Sequence, residues 1–428
     1  MCLAEQKLHN RRIDRVIDTG LQYATYLFLL YVLTGIKKGG DMRLFIPYIT
    51  ALFLLAHVAV RRDFSALRTA PFYALACYVG ISYLLIPFSF APKISLTGLS
   101  REVLPGLFLY AAVHFRSDAE EKVKGLLLLF VAALLLVVGG GYFTYGMRQV
   151  KRGIDEHLFP DVPFLKFYLY FNVFAMKVNF LLPFAVAGAA VVRTKAARYI
   201  LWALIAVSAG AVVLSLSRGG WLSLLVMVCL FSLFLSKGRV KLSSAIAALC
   251  GILLLISVLV WTTVPAIRQR ILVNAEEFLT FHGRTEIWQH YVGAVRESPV
   301  TGWGYGDRII WNNGPAVLTR EAGPEVPEQF RIGTHNTVLF VLYHQGIIGL
   351  AGYFAFVAAG CVALVKQLSL RLDHNALYVF SLLTALISVF FIHSTIESVP
   401  FAVPCIIFGF LSGIQQWDKG RHKSACRR

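Results

Sequence analysis

Twelve long apolar blocks dominate the chain, at roughly 21–36, 43–60, 70–90, 100–115, 125–147, 168–192, 199–216, 221–236, 242–264, 337–365, 376–394 and 400–416. Within them the apolar residues show neither the alternation of a half-buried strand nor the 3.6-residue stripe of a surface helix, so every side of each segment must meet an apolar environment. In lipid, a segment of this length satisfies its own backbone polar groups only as a helix. The chain is 57% hydrophobic and 15% charged, against an apolar share of about 45–50% in soluble domains. The expected fold is therefore an all-α membrane protein with about twelve transmembrane helices. Pro105 interrupts the fourth block and Lys177 and Pro183 the sixth, which leaves eleven or thirteen spans open.

Basic residues fall mostly on one side of these blocks. With twelve spans and an inward N-terminus, Lys7, Arg11, Arg12, Arg15, Arg61, Arg62, Arg68, Arg116, Lys122, Lys124, Arg193, Lys195, Arg198, Lys237, Arg239, Lys241, Lys366, Arg371 and the tail residues Lys419, Arg421, Lys423, Arg427 and Arg428 all lie inside, as the positive-inside tendency requires. The net charge of +18 is then a topology signal. No nucleic-acid-binding motif accompanies it, and no nucleic-acid partner is expected. The first span lacks a small-residue cleavage site and is read as retained. No cysteine lies in an outward loop, so no structural disulfide is expected. The chain divides into spans one to nine (1–264), an outward loop (265–336), spans ten to twelve (337–416) and a basic inward tail (417–428).

Two outward segments exceed what a turn needs: 148–167, with Arg148, Lys151, Arg152 and His157, and 265–334. The longer one holds Arg268, Arg270, Arg284, Arg296, Arg308, Arg320 and Arg331 and no lysine. That usage is either a solvated loop's chance composition or oxyanion recognition, for which the planar guanidinium fork is suited and lysine is not. Residues 281–295 read as a helix opening after Gly283, with Arg284, Trp288, Tyr291 and Val295 on one face. Arg284 then sits beside free N–H groups, an anion seat, or merely stacks on Trp288. Gly302-Trp303-Gly304-Tyr305-Gly306 follows no strand and is no dinucleotide fingerprint; it reads as a tight turn packing its two aromatics.

Gly333-Thr334-His335-Asn336-Thr337 leads into the tenth span. Thr334 is the expected N-cap, which puts His335 in the first helical turn, where the helix field suits a proton acceptor; a capping or interfacial histidine is the alternative. At the outer end of the seventh span, Ser215-Leu216-Ser217-Arg218-Gly219-Gly220 offers a phosphate cradle, or else a snorkelling arginine, with a glycine pair for the reversal into the eighth span. Glu397, near His393 and Ser394, could orient a histidine or neutralise an arginine. Lys177 reaches either the interface or a lipid phosphate. No Asp-x-Asp, His-Glu-x-x-His or Cys/His cluster occupies the outward loops, so neither metal nor cofactor is expected. No Walker or Gly-x-Ser-x-Gly motif is present.

From Ser215 to the end of the tenth block, these motifs in this order resemble the O-antigen ligase family and its wider clan of polysaccharide polymerases and O-linked oligosaccharyltransferases. The pieces are Ser-Leu-Ser-Arg-Gly-Gly, the Gly-Arg-x-x-x-Trp helix, Gly-Trp-Gly-Tyr-Gly, and Thr-His-Asn followed by Gly346-Ile347-Ile348-Gly349-Leu350. The resemblance implies glycan transfer at the periplasmic face of a bacterial inner membrane. The implied donor is a glycan on undecaprenyl pyrophosphate, and the implied acceptor a sugar hydroxyl of the lipid A–core. By motif, Arg218 and Arg284 would hold the pyrophosphate and His335 would act as base, supported by Ser217, Trp288, Asn336 and, by a looser match, Glu397. A polymerase or a protein-glycosylating transferase of the same clan, and a non-enzymatic flippase, remain as alternatives.

Overall fold

The computed structural model describes residues 2–34, 42–153, 171–215, 217–235, 284–306, 309, 334–368, 374–395 and 399–425. Among these residues every regular element is helical and no strand occurs. In chain order the helices are α1 (Cys2–Thr34), α2 (Met42–Arg61), α3 (Ala70–Leu84), α4 (Pro92–Glu102), α5 (Leu104–Phe115), α6 (Glu120–Gly153), α7 (Phe171–Val191), α8 (Lys195–Leu214), α9 (Arg218–Leu235), α10 (Arg284–Glu297), α11 (Thr337–Gln367), α12 (His374–Ala385) and α13 (Ala402–Ala425). A π-helical segment (Leu386–Ile392) and a 3₁₀ turn (His393–Thr395) extend α12.

Seven helical segments are long and apolar enough to cross a membrane: Ile13–Thr34, Ala70–Phe88, Glu120–Tyr142, Asn172–Val191, Lys195–Val213, Thr337–Gln367 and Asn375–Thr395. Two shorter apolar helices, Phe45–Arg61 and Arg218–Phe234, join them. The expected count of about twelve is therefore not reached among the described residues. The ninth expected span, 242–264, lies outside them, as does most of the 265–333 segment. The expected fourth span, 100–115, is divided: α4 ends at Glu102, Val103 caps it, and α5 begins with Pro105 in its first turn. Proline lacks the N–H that a continuing helix would use, so a new helix starts there instead.

Side-chain contacts fix the helix directions. α1 and α2 are antiparallel, with Thr50 Oγ1 donating to Ala24 O at 3.2 Å. α3 and α11 are antiparallel, joined by Gln345 Nε2 to Ser82 Oγ (2.8 Å) and by the Tyr78–Tyr353 ring pair at 5.6 Å. α7 runs against α12 through Ser381 Oγ to Pro183 O (3.1 Å). α9 runs against α12 and its extension through Ser223 Oγ to Ser388 O (2.7 Å) and the stacked Phe234–Phe380 pair at 4.1 Å. α5 and α13 run parallel; a Cβ on Gly409 would lie 2.5 Å from Tyr110 O, and one on Gly413 2.5 Å from His114 O. Lipid gives little drive for helices to associate, so small residues that let backbones touch supply the packing.

These directions gather the starts of α2, α5, α7, α9, α11 and α13 and the ends of α1, α3, α6, α8 and the α12 extension at one end of the bundle. The opposite end carries Arg61, Arg68, Arg116, Lys122, Lys195 and Lys366. Between the ends lies one large apolar core, in which Phe130, Phe180, Phe184, Phe356, Phe408 and Phe410 are fully buried.

Candidate functional site

The turn leading into α11 departs from the helical position expected for its histidine. Asn336, not Thr334, is the N-cap: its backbone is extended (φ −156, ψ 122) and its Oδ1 accepts Leu339 N–H at 2.9 Å. The helix opens at Thr337, so His335 stands just outside it with φ +46. Apart from Arg62, it is the only non-glycine residue with positive φ among those described. A left-handed backbone disfavours residues carrying a Cβ. The surrounding bonds hold it there. Thr334 is buried and donates from Oγ1 to Asn336 O at 3.0 Å, closing the turn beneath the histidine. Thr337 Oγ1 accepts Val399 N–H at 2.9 Å, tying the turn to the entrance of α13.

α10 is described from Arg284 onward. One turn later Trp288 Nε1 donates to Thr334 O at 3.0 Å. Tyr291 and Ala294 then pack on Leu339 and Tyr343 of α11, with the two tyrosine rings edge-on at 5.0 Å. α10 thus lies along the first turns of α11, and Arg284 stands one turn before Trp288, toward the end of the bundle where α11 starts.

The glycine-aromatic stretch that follows repairs a break in α11. Gly346 has φ +61, which interrupts the helix. The carbonyls this frees accept from the loop: Trp303 N–H to Tyr343 O (3.0 Å) and Gly304 N–H to His344 O (2.9 Å). In return Ile347 N–H reaches Pro299 O at 2.9 Å. Gly302 must lack a Cβ, because one would lie 2.5 Å from the backbone of His344, Gln345 and Gly346. Irregular backbone at membrane depth is tolerated where protein groups satisfy it, and here they do. Tyr305 is buried against Phe340 and His344, its N–H donates to Ser95 Oγ (3.1 Å), and its hydroxyl meets Glu102 Oε2 (3.3 Å). The expected tight turn is therefore a clamp holding α10 to α11 and α4. Sequence reading missed the break at Gly346 and the serines at 89 and 95, which bond one another at 2.5 Å beneath the clamp.

Arg218 opens α9. Ser217 is buried and caps that helix: its Oγ accepts Gly220 N–H at 3.1 Å and donates to Asn172 Oδ1 at 2.8 Å. The glycine pair does not form the reversal expected of it. Gly220 sits inside the helix, where a Cβ would press on Ala175 of α7 at 2.6 Å; closeness, not turning, is its role. The antiparallel register with the α12 extension puts Arg218 level with His393–Thr395, against which α11 also packs. Arg218, Arg284 and His335, all half-buried, thus share one end of the bundle with Ser217, Trp288 and Asn336. Glu397 lies outside the described residues. Lys177, on α7, is half-buried near the same end. Among the described residues, no group of three or more His, Cys, Asp or Glu is placed to hold a metal ion.

By fold and site, then, this is a polytopic α-helical membrane protein with cationic helix starts and a strained histidine at one end of the bundle. Residues 201–354, which span all three of those site residues, match the family model described as O-antigen ligase. The chain is also 23% identical over 410 residues to a Salmonella typhimurium protein described as an O-antigen ligase, a match covering 91% of this chain and 94% of the relative. Both comparisons agree with the resemblance carried by the motifs: this region of the chain is similar to the O-antigen ligase family.

Proposed function

We propose that the protein is a glycosyltransferase of the ligase type, moving a glycan from undecaprenyl pyrophosphate to a sugar hydroxyl of the lipid A–core at the periplasmic face of the inner membrane. The observation that carries this reading is the pair of helices opening on arginine at the end of the bundle that also holds His335. Helix starts expose unbonded N–H groups and a partial positive charge. An arginine at the first position adds a full charge and a bidentate fork to that field, a strong attraction for a pyrophosphate.

In this mechanism the acceptor oxygen attacks the anomeric carbon while the His335 imidazole takes the hydroxyl proton. The bond from that carbon to the pyrophosphate oxygen breaks, and its electron pair leaves on the pyrophosphate, whose growing charge Arg218 and Arg284 neutralise. One displacement inverts the anomeric configuration. Arginines in this role supply what a divalent ion supplies elsewhere, so the reaction proceeds without metal. Both substrates are lipid-anchored, which suits a site at the membrane surface.

The test is purified protein in lipid, incubated with undecaprenyl-pyrophosphate glycan and lipid A–core, with and without excess EDTA, the product identified by mass. Glycan joined to the core in both arms is the expected result. Glycan joined only to a second lipid-linked repeat identifies a polymerase, and no covalent product with the donor translocated identifies a flippase. Orientation is checked with a cysteine at position 298, replacing serine: it labels with an impermeant thiol reagent in intact spheroplasts if this end faces outward.

A further inference from the structure

We infer that Trp288 is a positioning residue: its indole N–H holds the 334–336 turn so that His335 keeps its left-handed backbone and presents its imidazole to the acceptor. The inference rests on the proposed role of His335 and names what enforces it. Tryptophan has one polar group, a donor, and here it is spent on Thr334 O at 3.0 Å. That carbonyl belongs to a fully buried residue immediately before His335. The next bonds in the turn, Thr334 Oγ1 to Asn336 O and Leu339 N–H to Asn336 Oδ1, fix the residue after it. His335 is therefore pinned on both flanks, and the pin on the residue before it comes from outside the turn and the helix it begins. That pin is Trp288, on the helix that Arg284 opens.

A backbone held in a disfavoured region persists only where its surroundings over-determine it, and such residues gather at functional sites. Without the indole bond, Thr334 is freed to act as the N-cap its sequence suggests, drawing His335 into ordinary helical geometry and away from its present direction. Because Trp288 follows Arg284 by one turn, the same short helix fixes the spacing between an anion-binding side chain and the base. The coupling is geometric, and a small displacement of a catalytic group costs about 10–100-fold in rate.

The test is a double-mutant cycle in lipid with Trp288→Phe, which keeps an aromatic ring but removes the donor, and His335→Ala. Single-turnover transfer, donor affinity and thermal midpoint are measured on each. Expected is a fall of about tenfold or more in transfer for Trp288→Phe, donor affinity within twofold, an unchanged midpoint, and no further loss when it is added to His335→Ala. Native transfer by Trp288→Phe, beside a His335→Ala variant that has lost transfer, overturns the positioning role while leaving the base intact. Losses that multiply in the double variant also overturn it, since Trp288 would then act independently of His335. Native transfer by His335→Ala overturns the base itself and the positioning role with it. If Trp288→Phe lowers the midpoint, Trp288→His, which restores a ring donor, must recover transfer; failure to do so assigns Trp288 to packing alone.

Discussion

The two ends of the bundle treat charge in opposite ways. At the end remote from the site, charges follow the helix field: Arg61 closes the last turn of α2, Arg116 caps the C-terminus of α5, Lys366 closes α11, and Glu120 and Glu121 open α6. Cations near C-termini and anions near N-termini are each stabilising by about 0.3–1 kcal/mol. Carboxylates there have cationic neighbours, with Arg61 and Arg116 at 3.9 and 3.6 Å from Asp18, and Lys122 at 2.8 Å from Asp118. At Asp63, burial is the largest influence and favours the neutral acid, yet hydrogen bonds from Ser65 and the nearby His114 and His57 together outweigh it and hold the carboxyl below its usual range. The exception is α8, which starts on Lys195, with Arg198 one turn on reaching back to Val192 O. At the site end, α9 and α10 both open on arginine, against the field. The penalty is small enough for a stable fold to bear, and an anion arriving there reverses its sign. One end spends its charges on folding; in the proposed mechanism the other turns them to a ligand.

The largest break in that contrast comes from His335. His335→Ala is expected to lose about 10²–10⁴-fold in single-turnover transfer while donor affinity is retained, since in the proposed mechanism the arginines carry the donor. His335→Asn is the sharper variant, because asparagine accepts the left-handed backbone and preserves the turn. Near-native transfer by His335→Asn would leave His335 a turn residue only. Arg218→Lys and Arg284→Lys come next. Each keeps its charge but loses the fork, and each is expected to weaken donor binding by about tenfold, a bidentate pair exceeding a point charge by about 1.4 kcal/mol. Native donor affinity in both lysine variants would reduce the two arginines to general electrostatics.

How much of this was legible in the sequence depends on the range of the interactions involved. The apolar spans are read from composition because lipid exposure is a property of each segment alone. The helix over Arg284–Glu297 is local too, read from the apolar face that Trp288, Tyr291 and Val295 share. The N-cap of α11 was misplaced by two residues, because Thr334 and Asn336 both cap well and the choice between them is coupled to the Trp288 bond from a distant helix. The break at Gly346 was hidden for the same reason. A glycine within an apolar run looks like any lipid-facing helix, and what stabilises its left-handed backbone is the 299–304 segment forty-odd positions earlier. The split at Val103 was signalled by Pro105, yet Pro47 and Pro183 sit inside unbroken helices, so proline alone did not decide it.

At the remote end, burial should set the size of the effect. Arg116 is 4% exposed and faces Asp18 across 3.6 Å, so Arg116→Ala leaves a part-buried carboxylate with only the longer contact to Arg61 at 3.9 Å and empties a packed volume. A loss of about 1–3 kcal/mol in stability is expected, read as a lowered thermal midpoint in lipid, with transfer per folded molecule unchanged. A specific loss of transfer with an unchanged midpoint would show that the remote end takes part in the reaction.

The smallest effect belongs to Lys124 and Glu120, one turn apart on α6 with side chains 54% and 43% exposed and 2.8 Å between their charged atoms. The order, glutamate before lysine at i and i+4, is the favourable one. Solvent screens the attraction, and holding two long side chains in one geometry costs entropy, so such pairs contribute only about 0.3–0.5 kcal/mol. Glu120 also lies in the first turn of α6, where the helix field stabilises it whether or not Lys124 is present. Lys124→Ala should therefore leave midpoint and transfer almost unmoved, and raised salt should erase what difference remains. Measured beside Arg116→Ala, it separates the two sources of stability at this end. Equal losses in the two variants would mean that the summed field, rather than burial of the individual pair, holds the remote end together.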